Sequence, residues 1–127
     1  MQLLTREDKF ITDYSHQFPK FMIIKELLRY NLEGKLKSII FKGEMVGFFV
    51  IDGTQFKSLF IQEDMRKYSR ELLPHVFRIV KNREYVTMAV SPNDPKIRKF
   101  AVMNGFKKTN QTVVGKICLL EIWEYKR

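Results

Sequence analysis

Between Tyr85 and Phe106 the chain reads YVTMAVSPNDPKIRKFAVMNGF, and the order of signals in this stretch leaves few folds open. Val86, Met88 and Val90 form an apolar run with the period of a strand, and Ser91-Pro92-Asn93-Asp94-Pro95 is a cluster of turn residues. An amphipathic stretch follows and stops at Asn104-Gly105, because glycine adopts the left-handed conformation that ends helices. Phe106 then opens another apolar segment. The succession is strand, loop, short helix, glycine cap, strand, which calls for a layered α/β architecture.

The rest of the chain is read by the same periodicities. Met1–Leu4 is a candidate short first strand. Glu7 to His16 places Phe10, Ile11 and Tyr14 on one helical face, and Pro19 breaks it. Lys20 to Tyr30 carries Phe21, Ile24, Leu27 and Leu28 on a second face, ended by Asn31 to Gly34. Three strands follow: Leu36 to Phe41, Met45 to Ile51 and Phe56 to Ile61, with turns at Lys42-Gly43 and Asp52-Gly53. The run from Met45 to Ile51 is almost wholly apolar, as in a strand covered on both faces. Arg66 to Asn82 is helical, and its Pro74 must lie near the helix start or kink it. Phe106 to Val114 and Lys116 to Trp123 form a final hairpin across Gly115, leaving Glu124 to Arg127 as a polar end.

A chain of 127 residues with no linker or repeat is expected to form one domain, 1–127. Apolar residues at 45%, with 11 Phe and 5 Tyr, favour a packed core over disorder. No apolar run is long enough to span a bilayer, and acidic residues by position 7 argue against a secretory leader, so a cytoplasmic location and no membrane partner are expected. A single cysteine, Cys118, precludes an intrachain disulfide; its apolar neighbours suggest a buried structural thiol. His16 and His75 have no companions at ligand spacing, so no metal cofactor is expected. The net charge of +9 suits an anionic partner: a nucleotide cofactor, a nucleic acid or an acidic macromolecule. The basic residues are scattered, and no recognised nucleic-acid motif accompanies them.

The predicted order, β-α-α-β-β-β-α-β-α-β-β, resembles that of the GNAT superfamily of N-acetyltransferases, and the helix ending Asn104-Gly105-Phe106 resembles the ending beside their acyl-CoA site. The resemblance covers nearly the whole chain. It implies an α/β fold with a mixed, mostly antiparallel sheet and helices on both faces. It also implies acetyl-CoA as cofactor and an amine-bearing small molecule or protein as acceptor. In the family the fourth strand splays from the fifth, CoA lies in the gap, and its pyrophosphate sits on helix amides within a Q/R-x-x-G-x-G/A motif. Such a helix start offers free N–H groups and partial positive charge.

The matching segment here is Arg66-Lys67-Tyr68-Ser69-Arg70-Glu71. By resemblance Arg66, Lys67, Ser69 and Arg70 bind pyrophosphate, Ile61 contributes backbone contacts, and Asn93 lies beside the pantetheine arm. Ser69 replaces the first glycine, and Glu71 puts a side chain and a negative charge where the second small residue stands. The family tyrosine that protonates the leaving thiolate falls on Ala101, and the asparagine that opens its motif falls on Asp94. Gln55 occupies the neighbourhood of the amine-deprotonating glutamate, which leaves Glu63 and Asp64 as candidate general bases.

Two other functions remain open at this point. A GNAT-like protein that has lost catalysis would serve as a binding or structural component. The short length, the eroded motif and the Ile97-Arg98-x-Phe100 helix are similar to small GNAT-like proteins of tailed bacteriophages, including an internal virion protein of podophages; that resemblance implies a virion-associated location. A basic nucleic-acid-associated protein is the third reading, motivated by charge alone. The acceptor and the oligomeric state do not follow from the sequence.

Overall fold

The computed structural model describes residues 4–115 and 118–127, so most of the candidate first strand at Met1–Leu4 and the start of the final strand at Lys116 lie outside the described residues. Helix α1 spans Arg6–Tyr14 and is capped by Thr5, whose hydroxyl accepts the Asp8 amide at 3.0 Å. A 3-10 turn, Ser15–Gln17, leads toward α2, Ile24–Leu32. Asn31 of α2 donates to Thr5 Oγ1 at 3.0 Å and to Asp8 Oδ1 at 2.8 Å, so one amide side chain ties the two helices together.

Strands β1 (Leu36–Phe41), β2 (Glu44–Asp52) and β3 (Gln55–Ile61) form an antiparallel meander. The β1–β2 turn, Lys42-Gly43, has φ of 52° and 82°, the paired positive values that match the twist of a hairpin. A 3-10 segment, Glu63–Tyr68, runs straight into α3, Ser69–Lys81; β4 (Tyr85–Val90), α4 (Pro95–Met103), β5 (Lys107–Val114) and β6 (Leu119–Lys126) complete the chain. The sheet order is β1-β2-β3-β4-β6-β5, and only β3 and β4 are parallel.

Helices cover both faces. Phe10, Ile11, Met22, Leu27 and Tyr30 from the α1/α2 side pack on Leu36, Met45, Phe48, Val50 and Phe60. On the other face Leu72, Val76, Phe77, Val80 and Ala101 pack on residues of five strands, including Val46, Phe49, Val86 and Trp123. Strand β2 feeds both cores, and its alternation changes phase at Gly47. Ile39 and Ile40 of β1 face Gly47 and Met45, so Val46 is an extra residue that bulges the strand. A β-carbon on Gly47 would lie 2.2 Å from the Phe60 carbonyl oxygen, so only glycine fits there.

Four expectations need correction. Helix α2 begins at Ile24 and not at Lys20, and Phe21, half exposed, lies outside it. The segment expected to be helical from Arg66 is 3-10 until Tyr68, so α3 begins at Ser69 and Pro74 is its sixth residue, nearer the helix start than a helix from Arg66 would put it. Glu124 to Lys126 are strand residues, because β4 extends the pairing to Tyr85↔Lys126. Cys118 is half-buried in the turn before β6, with its Sγ 3.7 Å from Ser91 Oγ, and is not a core thiol.

Candidate acyl-CoA cleft

Strands β3 and β4 pair at only two positions, Gln55↔Thr87 and Phe56↔Met88. Beyond them no ladder joins the strands, and a gap opens toward Ile61 and Val90, flanked by the N-termini of α3 and α4. A second bulge steers β3 away. Ser58 and Leu59 together face Phe49 of β2, and Ser58 takes the left-handed conformation at φ 57°.

The residues expected to hold a pyrophosphate gather at this end of the gap, but many of their polar groups are already engaged. Arg66 Nε donates to the Ile61 carbonyl at 3.1 Å, and its guanidinium lies 5.9 Å from the centre of the Phe60 ring. Lys67 Nζ stands 5.3 Å over the Tyr68 ring, which itself stacks on Phe41. Ser69 donates both its amide and its hydroxyl to the Arg66 carbonyl. The Glu63 amide is bound by Gln17 Oε1 at 2.7 Å, and the Met65 amide by the Gln62 carbonyl at 3.0 Å. A helix start normally leaves such donors free for an anion. Here the amides of Glu63, Met65 and Ser69 are engaged by Gln17 and by the 3-10 lead-in. Arg70 and Glu71 are exposed in the first turn of α3.

At the α4 side Asp94 caps the helix by accepting the Ile97 amide at 3.2 Å, and Asn93 is exposed in the loop with its amide on Ser91 Oγ. Ala101 is fully buried under α4 and offers no proton. Glu63 and Asp64 are exposed at the end of β3, where Asp64 accepts from Gln62 Nε2 at 2.8 Å.

A polar row crosses the α1/α2 side of the sheet, between the Asp52–Gln55 turn, where the sequence reading expected the acceptor to lie, and the final hairpin. Asp52, Gln55, Thr87, Glu124 and Lys107 are successive cross-strand partners from β2 to β5, one strand spacing of about 4.8 Å apart. No buried residue of β4, β5 or β6 contributes to the core under α1 and α2, so the Thr87–Glu124–Lys107 half of the row faces outward. Glu124 accepts the Tyr85 hydroxyl at 2.9 Å and pairs with Lys126 at 3.5 Å. That hydrogen bond, with burial second, raises the Tyr85 pKa. Asp52 is held below its ordinary value by Lys35 at 2.9 Å, against the opposing effect of burial, with help from Lys57 at 3.4 Å. The alternation of Ile122, Glu124 and Lys126 against Glu121, Trp123 and Tyr125 was the available signal for this row.

Comparison with known proteins agrees with this geometry. No protein-family model matches the chain, and no curated protein matches it in sequence. Solved structures do. Ard1 from Thermoplasma volcanium superposes with a TM-score of 0.70 at 14% identity, covering 98% of this chain and 95% of that one. The ribosomal-protein-S18-alanine N-acetyltransferase from Escherichia coli gives 0.67 at 14% identity, covering 99% and 91%. A protein assigned to the GNAT family from Desulfovibrio desulfuricans gives 0.65 at 12% identity, covering 98% and 95%. The chain therefore has the GNAT acetyltransferase fold.

Among the described residues, no group of three or more His, Cys, Asp or Glu side chains is placed to hold a metal ion. Among the described residues, no helix is long and apolar enough to cross a membrane.

Proposed function

We propose that the protein binds an acyl-CoA thioester in the gap between β3 and β4 and transfers its acyl group to an amine. The supporting observation is the two-position β3–β4 ladder, which leaves a slot beside the bulge at Ser58 where an extended pantetheine arm can lie. Lys67 and Arg70 hold the phosphates through side chains, because the amides of Glu63, Met65 and Ser69 already have partners. Ile61 and Asn93 line the arm. The acceptor approaches over the open sheet face, where Glu124 attracts an ammonium group. Asp64 or Glu63, acting through water, removes its proton. No side chain stands at Ala101 to protonate the thiolate, so turnover is slow and rests on positioning. An acyl-CoA is an intracellular metabolite, which places the protein in the cytoplasm on this reading.

Calorimetric titration with acetyl-CoA, with dephospho-CoA and pantetheine as controls, tests the proposal. Saturable binding with Kd on the order of 10–100 μM that weakens when the phosphates are removed is expected. No heat from a folded protein overturns it. Release of free thiol in the presence of amines then tests transfer. A ribosomal S18 alanine N-terminus and spermidine, the acceptors named for two structural neighbours, are the first to try.

A second reading is favoured by the occupied amides, the carboxylate of Glu71 and the buried Ala101: a GNAT fold kept as a binding or structural component, virion-associated if the gene is phage-borne. It predicts a stable protein that ignores acetyl-CoA in the same titration.

A further inference from the structure

The net charge is not shared between the two helical layers. Helices α1 and α2 carry four basic and four acidic residues, whereas α3 and α4 carry six basic residues and one acidic, Glu71. Of those six only Arg98 has an ion-pair partner among the described residues, Glu121 at 3.6 Å. In α4 the three cations lie within its first five residues, at Lys96, Arg98 and Lys99, whereas in α3 the excess lies at the C-terminal end, at Arg78 and Lys81, away from the acyl-CoA gap. A shallow groove there runs between Pro74, Phe77, Arg78 and Lys81 of α3 and Asn104 past the end of α4. Phe77, which lines it, packs on Phe100 of α4 with ring centres 4.5 Å apart. On the α4 side Lys99, Val102 and Met103 project outward, with Val102 60% and Met103 72% exposed.

We infer that this groove docks an acidic, amphipathic segment of a partner protein, laid between α3 and α4 with its carboxylates on Arg78, Lys81 and Lys99 and its apolar face on Val102 and Met103. Charge complementarity selects an anionic partner. The apolar side chains decide its class. A phosphate backbone gains nothing by covering Val102, Met103 and Pro74, whereas an amphipathic helix buries them. Methionine on an exposed rim suits such a contact, because its flexible thioether adapts to the partner's shape. A second copy of this chain does not fit, because a two-fold contact would set the same cations against each other. Basic residues in the last turn of α3 also complement the helix dipole, but that accounts for neither Lys99 nor the exposed apolar pair. The inference stands independently of acyl-CoA binding, because it uses none of the residues placed at the gap.

The test is fluorescence anisotropy at low salt with a labelled amphipathic Glu/Leu helical peptide and, separately, a short DNA duplex. The peptide is expected to bind more tightly than the duplex. Arg78→Glu with Lys99→Glu is expected to weaken the peptide about tenfold, and Val102→Ser with Met103→Ser about threefold or more. All four positions are exposed, so the variants should stay folded; circular dichroism checks this. Tighter binding of the duplex, unaffected by Val102→Ser and Met103→Ser, overturns the proposal in favour of a nucleic-acid surface. Peptide binding that ignores all four substitutions, or no binding of either probe, also overturns it.

Discussion

Gln17 Oε1 accepts the amide of Glu63 at 2.7 Å, joining the connection between α1 and α2 to the lead-in of α3 across 46 residues of sequence. The contact occupies the first amide of the 3-10 lead-in, six residues before α3 begins. It also fixes the direction in which the chain leaves β3. Gln17→Ala leaves that amide without its partner and should lower stability by ~1 kcal/mol. Thermal unfolding should then fall by about 4 °C.

Gly47 is the tightest steric constraint in the sheet. A methyl group there meets the Phe60 carbonyl oxygen at 2.2 Å, which neither backbone can absorb without breaking the β2–β3 register. Gly47→Ala should destabilise by about 3 kcal/mol, read from the midpoint of urea unfolding; a loss under about 1 kcal/mol would contradict the close approach.

Glu71 lies in the first turn of α3, next to Arg70 of the proposed phosphate site. Glu71→Gln keeps the helix propensity and removes the charge. Acetyl-CoA affinity measured by calorimetry should rise about threefold to tenfold. An unchanged Kd in a protein that does bind would show that Glu71 is too far from the phosphates to matter.

Acid should destabilise the fold through Glu121 and Asp52. Glu121 lies below its ordinary value of 4.5, chiefly because Lys108 bonds it at 2.8 Å; burial opposes this, and Trp123 and Arg98 add to it. A carboxylate depressed in the folded state contributes its stability above the unfolded pKa and loses it as pH falls through the folded one. Urea midpoints should therefore be flat above about pH 5 and drop below about pH 4. Glu121→Gln should start lower and fall less steeply over that window.

Most of the element order was legible because it rests on local signals. Phe10, Ile11, Leu27, Val76 and Val80 follow helical spacing, and the glycines at 43, 53 and 105 stand at positive φ where turns and a helix end were expected. The 3-10 lead-in was hidden because its geometry depends on Gln17, remote in sequence. The bulges at Val46 and Ser58 were hidden because register is a property of two strands. The site was legible only as a place. The sequence located the helix start, but which amides stay free is decided by contacts that no motif encodes. Glu124 was taken for a loose end because nothing nearby in sequence announces that β4 would hold it.

Beside the bulge at Val46, β2 sends side chains to both sides of the sheet. Met45, Phe48 and Val50 belong to one core and Val46, Phe49 and Ile51 to the other, so β2, flanked by β1 and β3, is part of the common wall of two hydrophobic compartments. Neither compartment can empty while the other stays intact. The helical layers have lost the autonomy of separate folding units, and heat should take the molecule apart in one cooperative step.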